Sequence, residues 1–443
     1  MTRQLAEYLS GVAERPLPED VQQRVKLHVL DSLAAMISGA TLDAGRLAID
    51  YLRHESQGRD ASVIGGGFVT SAADAAWANG MSGHADETDD SHPSGFHPGC
   101  GIVAAALAMA ERQGSAGRVL LRAVAAGYDV GSRAVLAAVP PAARARGYAV
   151  TTHAIGGTFG ATAAAATQAG LDATRLSYVV SYAAQQAWGC RSYLRDAHHV
   201  EKAFVYGGRP ARAGVMATTM VQRGFDAVAD VFDGQFNYFE ALGFEAEPSA
   251  LVDGLGEGWE IMRTNIKRYP VGSPILGVVE ALNRLQSSGP IDADDVLRVE
   301  LTMPGLSAQV VDERAMPNVN AQHIAALMLV DGGLGLEASH DVARMQDLRV
   351  LRLRQNVTLS SGPDGATGVA IAMRDGRVLA ERVPTRRGAP QVEDVRSKAL
   401  ELIAPVAGDA TARDLVNLIL RLEELPDMRD LQALLLSVRA ARA

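Results

Sequence analysis

Residues 101–110 read GIVAAALAMA, a stretch with no charge and no strong hydrogen-bonding side chain. A helix of that composition is apolar on every face and has to be covered on every side. Comparable alanine-rich segments occupy 71–82, 116–136, 156–169, 173–188 and 208–223. Such helices can only be buried against one another, which predicts an all-α N-terminal half. Residues 17–40, LPEDVQQRVKLHVLDSLAAMISGA, open with Pro18 and two acids, repeat Val21, Val25, Val29, Leu33 and Ile37 at helical spacing, and stop at Gly39. The low aromatic share, 5%, also favours packed helices over β-sandwiches.

The periodicity changes near residue 290. In DVLRVELTMPG, Val299, Leu301 and Met303 alternate with Arg298, Glu300 and Thr302, which is strand period. RVLRLRQNVTL (349–359) reads as a second strand. In VAIAMRDGRVLAERV, Asp375-Gly376 between two alternating runs predicts a hairpin. A helix is expected between the first two strands, at 320–331. Together these make an α/β module of roughly 270–390, followed by helical runs at 391–404 and 411–440.

Bulk properties narrow the function. With 42 Lys and Arg against 51 Asp and Glu, the net charge is −9, which argues against non-specific nucleic-acid binding. Two cysteines, Cys100 and Cys190, are too few for a disulfide framework or a multi-thiolate zinc site. The polar N-terminus, MTRQLAEYLSGVAERPLPED, lacks the apolar core of a signal peptide. No apolar run approaches the ~18 residues that span a bilayer. A soluble, cytoplasmic protein without membrane contact is expected.

The segment GHADETDDSHPSGFHPGC (83–100) stands apart. It holds His84, His92 and His97 beside Asp86, Glu87, Asp89 and Asp90, and its prolines and glycines keep most of it from being helix. It joins two very apolar helices, so it is a loop on a rigid scaffold, where functional loops tend to sit. His97-Pro98-Gly99 precedes a helix near Cys100 whose N-terminal N–H groups could receive an anion. Carboxylates and imidazoles beside such a site suit proton abstraction next to a carboxylate. Histidines and carboxylates could instead bind a metal, but HExxH is missing and no other His pair has i, i+4 spacing on a helix.

The run NGMSGHADETDDSHPSGFHPGCGIVAAALAMAE closely resembles the signature region of the MmgE/PrpD family. That pattern has NG, His, an acid, then D-D-T, and six residues on the His of H-P-[GS]. Asp89-Asp90-Ser91 matches with Ser for Thr, and His97-Pro98-Gly99 falls at the right distance. The likeness continues through IGGTFGATAAAA, EKAFVYGGRPARAG, IKRYP, QHIAALMLVDGG and the DGRVL hairpin. It implies a mainly α fold: a large all-helical domain at 1–268, a smaller α/β lid domain at 269–390, and C-terminal helices at 391–443 returning to the helical domain. It also implies a homodimer, a small anionic carboxylate substrate, and neither a metal nor an organic cofactor.

Carried over residue by residue, the resemblance implies that His97 is base or acid, with Glu87, in the place of a family Asp, assisting or orienting it. Ser91 would donate to a substrate carboxylate. Asp90, on the substrate side of the loop, is expected with Asp89 to brace it through backbone N–H groups. The family's second histidine falls at Thr151, with His153 two residues later to serve instead. Lys202 matches a family lysine, but Val205 replaces the histidine that usually follows, and Arg209 or the pair His198-His199 could replace it. Lys267 matches another lysine, with Leu276 near the place of an absent histidine. His323 takes the place of a lid tyrosine; on so apolar a helix it would otherwise be a core residue with its ring satisfied.

These features imply a cofactor-independent lyase that dehydrates a small hydroxy-polycarboxylate. Epimerisation by two bases, His97 and His153, or decarboxylation would use the same groups. A non-catalytic helical dimer is the reading from another class. The altered polar positions point to a substrate other than methylcitrate or cis-aconitate.

Overall fold

The computed structural model describes the chain except residues 142, 144–149, 244, 306, 363–364, 385–390 and 441–443, and the side chain of 336. The fold is mainly α. It divides into two compact units, Met1–Ala85 with Asp89–Ile266 and Pro390–Ala443, and Asp86–Thr88 with Lys267–Ala389.

In the first unit the alanine-rich segments form helices Ala72–Gly83, Gly99–Gln113, Gly117–Ala138, Thr152–Thr167, Ala173–Ala184 and Arg209–Gln222. They pack tightly because small residues meet where they cross. A Cβ at Gly160 would lie 2.8 Å from the Gly127 carbonyl oxygen and 2.5 Å from Ile102, well inside contact distance. Helix Val392–Ala407 lies on helix Glu19–Gly39, and a buried ion pair, Lys398 Nζ to Asp31 Oδ1 at 2.5 Å, ties them.

The N-terminal half is not purely helical. Strands β1 (Ala61–Val63) and β2 (Phe68–Thr70) form a short antiparallel ladder. Gly65 and Gly67, at φ 79° and 68°, turn the chain between them in a conformation that favours glycine. The run expected at 411–440 is also broken. Helix Asp409–Leu420 is followed by short helical turns at Leu422–Glu424 and Met428–Leu431 and a short helix Gln432–Ser437, and Pro426, with no N–H to donate, keeps them from joining into one helix.

The second unit carries a four-stranded mixed sheet, order β4-β3-β5-β6, with β3 (Val296–Pro304), β4 (Val357–Gly362), β5 (Ala366–Met373) and β6 (Val378–Pro384). β3 pairs parallel with β4 and antiparallel with β5. The β5–β6 hairpin turns at Gly376, φ 89°. Val299, Leu301, Val369 and Ile371 face a core completed by helices Leu276–Ser287 and Ala321–Asp331. The strand reading of 349–359 is half wrong, since Leu348–Arg354 is a helix and β4 starts at Val357. Asp347 caps it by accepting from the Arg349 and Val350 N–H groups, and Val350 and Leu353 bury one face at i, i+3. Among the described residues no single helix is long and apolar enough to cross a membrane.

Candidate active site

The 83–100 loop is enclosed rather than solvated. His84, Asp89 and Asp90 have no exposed surface, and Asp86, Glu87, Thr88, His92 and Ser94 are buried. Burying that many charges is tolerable only if each has a partner, and the partners define the loop. His92 bonds Ser94 through Nδ1 and Glu260 through Nε2, at 2.7 and 3.0 Å. Ser91 exchanges backbone hydrogen bonds with Asn265, each 2.9 Å.

Asp90 is fully engaged inside the protein. Its Oδ2 accepts from the Tyr128 hydroxyl and meets His28 Nδ1, both at 2.6 Å, and its Oδ1 accepts from the Gly99 N–H at 2.8 Å. This corrects its placement as a substrate contact, because both oxygens are already bound to the protein. It also changes the expected anion site, since the N-terminus of helix Gly99–Gln113 already holds an anion, Asp90's own carboxylate. Bracing through a backbone N–H is what Asp90 does.

Asp89 acts differently. Its two oxygens each lie 2.9 Å from an imidazole Nδ1, Oδ2 from His84 and Oδ1 from His97. Burial works to raise its pKa, but the two imidazoles and their hydrogen bonds hold it well below the usual carboxylate value. His84 lies within the molecule, and burial, His97 and Lys202 lower its pKa against the pull of Asp89.

The rings gather around Tyr206. Helix Val200–Ala203 continues into Arg209–Gln222 through a π turn at Phe204–Gly208, a departure frequent at functional sites. Gly207 lies so close to Gly80 that a Cβ would overlap its carbonyl, so this turn is seated directly on helix Ala72–Gly83. Tyr206, inside the turn, stacks between His153 (centroids 3.5 Å apart, 16°) and His84 (4.3 Å, 21°). His97 lies 5.0 Å from His84 and 5.5 Å from His153 by ring centroids. His199 lies 4.9 Å from His84, and Lys202 Nζ stands 5.2 Å from the Tyr206 centroid.

The structure thus brings His97, His153 and Lys202 together and adds His84, Asp89, His199 and Tyr206. Of the pair His198-His199, the buried member is His199. His153 occupies the first turn of helix Thr152–Thr167, with Nδ1 3.5 Å from the Tyr193 hydroxyl. Burial first, then the nearby His97, His84 and Lys202, press its pKa well below the usual imidazole value. Thr151 stands at the N-cap and donates to Tyr193 at 3.2 Å.

The remaining candidates sit elsewhere. Arg209 donates to the Gln186 carbonyl at 2.7 Å beside Tyr238. In the second unit Lys267 and Glu87 form a buried ion pair at 3.3 Å. His323, also there, has no exposed surface, and neither ring nitrogen has a hydrogen-bond partner among the described residues. The satisfied core histidine expected on so apolar a helix is therefore not what forms.

Chemically the first-unit cluster can move protons, with four imidazoles, two of them (His84 and His153) of lowered basicity, a lysine and a phenol close together. His84, Asp89 and His97 also offer ligand atoms within 4.8 Å of one another, a donor set that a transition metal could use. In this structure the set is hydrogen-bonded within itself, with one carboxylate oxygen for each Nδ1. His84 and Asp89 were visible in the loop's composition, whereas Tyr206 was not, because a π turn leaves no mark in sequence spacing.

Two family models match the chain: the MmgE/PrpD N-terminal domain over residues 3–250 and the MmgE/PrpD C-terminal domain over 269–424. Among curated proteins the chain is similar to the cis-aconitate decarboxylase-like protein oryM of Aspergillus oryzae, 25% identical over 98% of this chain and 97% of the other. It is 24% identical to the cis-aconitate decarboxylase of Homo sapiens over 98% of this chain and 94% of the other. With the cis-aconitate decarboxylase of Aspergillus terreus the figures are 24%, 98% and 96%.

Proposed function

This chain belongs to the MmgE/PrpD family, and we propose that it is a lyase that moves a proton at a carbon next to a carboxylate of a small polycarboxylate. The observation that carries this reading is the Asp89-bridged pair His84 and His97, set against His153, Tyr206 and Lys202. Removing such a proton leaves charge on the adjacent carboxylate, which needs a base, an acid and a fixed cation in a site where water does not compete. An imidazole in its neutral form supplies the base, one in its protonated form the acid, and Lys202 the cation.

Elimination of water from a hydroxy-polycarboxylate is the first form of this chemistry. Decarboxylation is the second, and the names of the relatives favour it. Both need the same groups.

The test is a proton NMR time course in D₂O with a panel of hydroxy- and unsaturated di- and tricarboxylates. A new vinyl signal with loss of the carbinol signal marks a dehydratase. Release of CO₂ with deuterium entering the product marks a decarboxylase. His97→Ala should keep the fold and lower turnover by ~10²-fold or more, the usual scale for a lost acid–base group. Near-normal turnover would remove His97 from the site.

A further inference from the structure

We propose that Asp89 is a shared positioning residue that fixes His84 and His97 in the same tautomer, with the proton on Nδ1 and the lone pair on Nε2 of both rings. The inference deepens the proton-transfer reading above and rests on it, because it decides which nitrogen each imidazole can use.

An ionised carboxylate only accepts hydrogen bonds. Asp89 has no exposed surface, and its two oxygens each face one Nδ1 at 2.9 Å. Each Nδ1 must therefore carry hydrogen. The reverse arrangement, a protonated Asp89, could donate to one ring only and would still accept from the Nδ1–H of the other. Donation to His84 would place an N–H on its Nε2, a buried atom with no acceptor among the described residues. An unpaired buried donor costs about 1–3 kcal/mol. The depressed pKa of Asp89, traced above to these two rings, fits the same assignment. Carbon-acid chemistry needs the lone pair on a nitrogen the protein does not already bond. His84 and His97 lie near opposite ends of a loop rich in glycine and proline, so the single carboxylate between them holds both rings at once.

Asp89→Asn tests this with almost no change of shape. An asparagine accepts through Oδ1 from one ring but donates its NH₂ to the other, so one imidazole must shift its proton to Nε2. In Ser-His-Asp systems the comparable change lowers kcat by roughly 10⁴. Nitrogen-15 NMR of histidine-labelled protein reads the ring protonation directly, with His84→Gln and His97→Gln identifying the two signals. The expected result is Nδ1–H on both rings in the native chain, one ring switched in the asparagine variant, and kcat down roughly 10²-fold or more with KM little changed. An Nε2–H ring at either position in the native chain overturns the assignment, even if the variant fails to fold. A switched ring with unaltered kcat overturns the positioning role. The ring spectrum needs no substrate, so failure of the polycarboxylate chemistry in the native chain is read separately.

Discussion

Replacing His323 with leucine should remove much of the acid sensitivity of the helix that carries it, Ala321–Asp331. Burial, and then Arg354 and Arg344, lower the imidazole pKa to about 4, with Asp341 acting weakly the other way. In the unfolded chain the same group titrates near 6.5. Between those values the unfolded chain binds more protons than the native one, so stability rises with pH. The contribution is complete above about pH 6.5 and is lost as pH falls toward 4. The gap between the two values limits the effect to about 3 kcal/mol, and at pH 5 the loss is about 2 kcal/mol, or roughly 30-fold in protection. Leucine preserves the cap, because Asn320 Oδ1 accepts from the residue-323 backbone N–H at 2.8 Å. It also removes a ring N–H that has no acceptor, so stability at pH 8 should hold or rise. A chain of two units does not unfold as a single transition, so the assay is amide hydrogen exchange of 321–331 peptides at pH 8 and pH 5, corrected for intrinsic rates. The native chain should lose about 2 kcal/mol of protection there and the leucine variant well under half of that. Equal losses in both proteins would refute the argument.

Lys267→Met should leave Glu87 buried beside an apolar side chain and cost about 3–5 kcal/mol, the usual penalty for breaking a buried pair from one side. Amide hydrogen exchange of second-unit peptides in the single variant and in Lys267→Met with Glu87→Leu measures it, and the double variant should recover most of the loss. Tyr206→Phe keeps the ring that His84 and His153 stack on and should retain turnover within a few-fold, whereas Tyr206→Ala should lose at least about tenfold, in line with a misplaced acid–base group. Equal damage from both would move the role from the ring to the hydroxyl.

Much of the fold was legible because burial on every side is a strong demand. A segment such as GIVAAALAMA has one structural solution, and the helix appears where that demand predicts. Short elements escaped the same logic. ASV and FVT pair only because two glycines at positive φ let the chain turn back, and so brief an alternation carries little periodic signal. At 349–354 the apolar spacing fits either period, and the capping bonds of Asp347 decide it. Within the site, residue types were readable and partners were not. Asp89 and Asp90 are adjacent and chemically identical. One reaches His28, Tyr128 and a helix N-terminus, while the other reaches two imidazoles. Only the path of the loop separates the two roles.

That separation has a consequence for how an anionic substrate would be received. Asp90's oxygens are bonded inside the protein, and Asp89's are shared between two rings. His153 is held low by burial first, then by the neighbouring His97, His84 and Lys202. A substrate carboxylate bound beside Lys202 would offset the charge of that lysine, so His153 would bind a proton more readily in the complex than in the free protein. Linkage makes the effect reciprocal, because whatever raises the proton affinity of the ring also tightens the anion by the same factor. Under the proposed chemistry, binding therefore supplies the acid that the reaction goes on to use. A pH profile of kcat displaced to higher pH than the profile of kcat/KM would carry its signature, since the first reports the complex and the second the free enzyme.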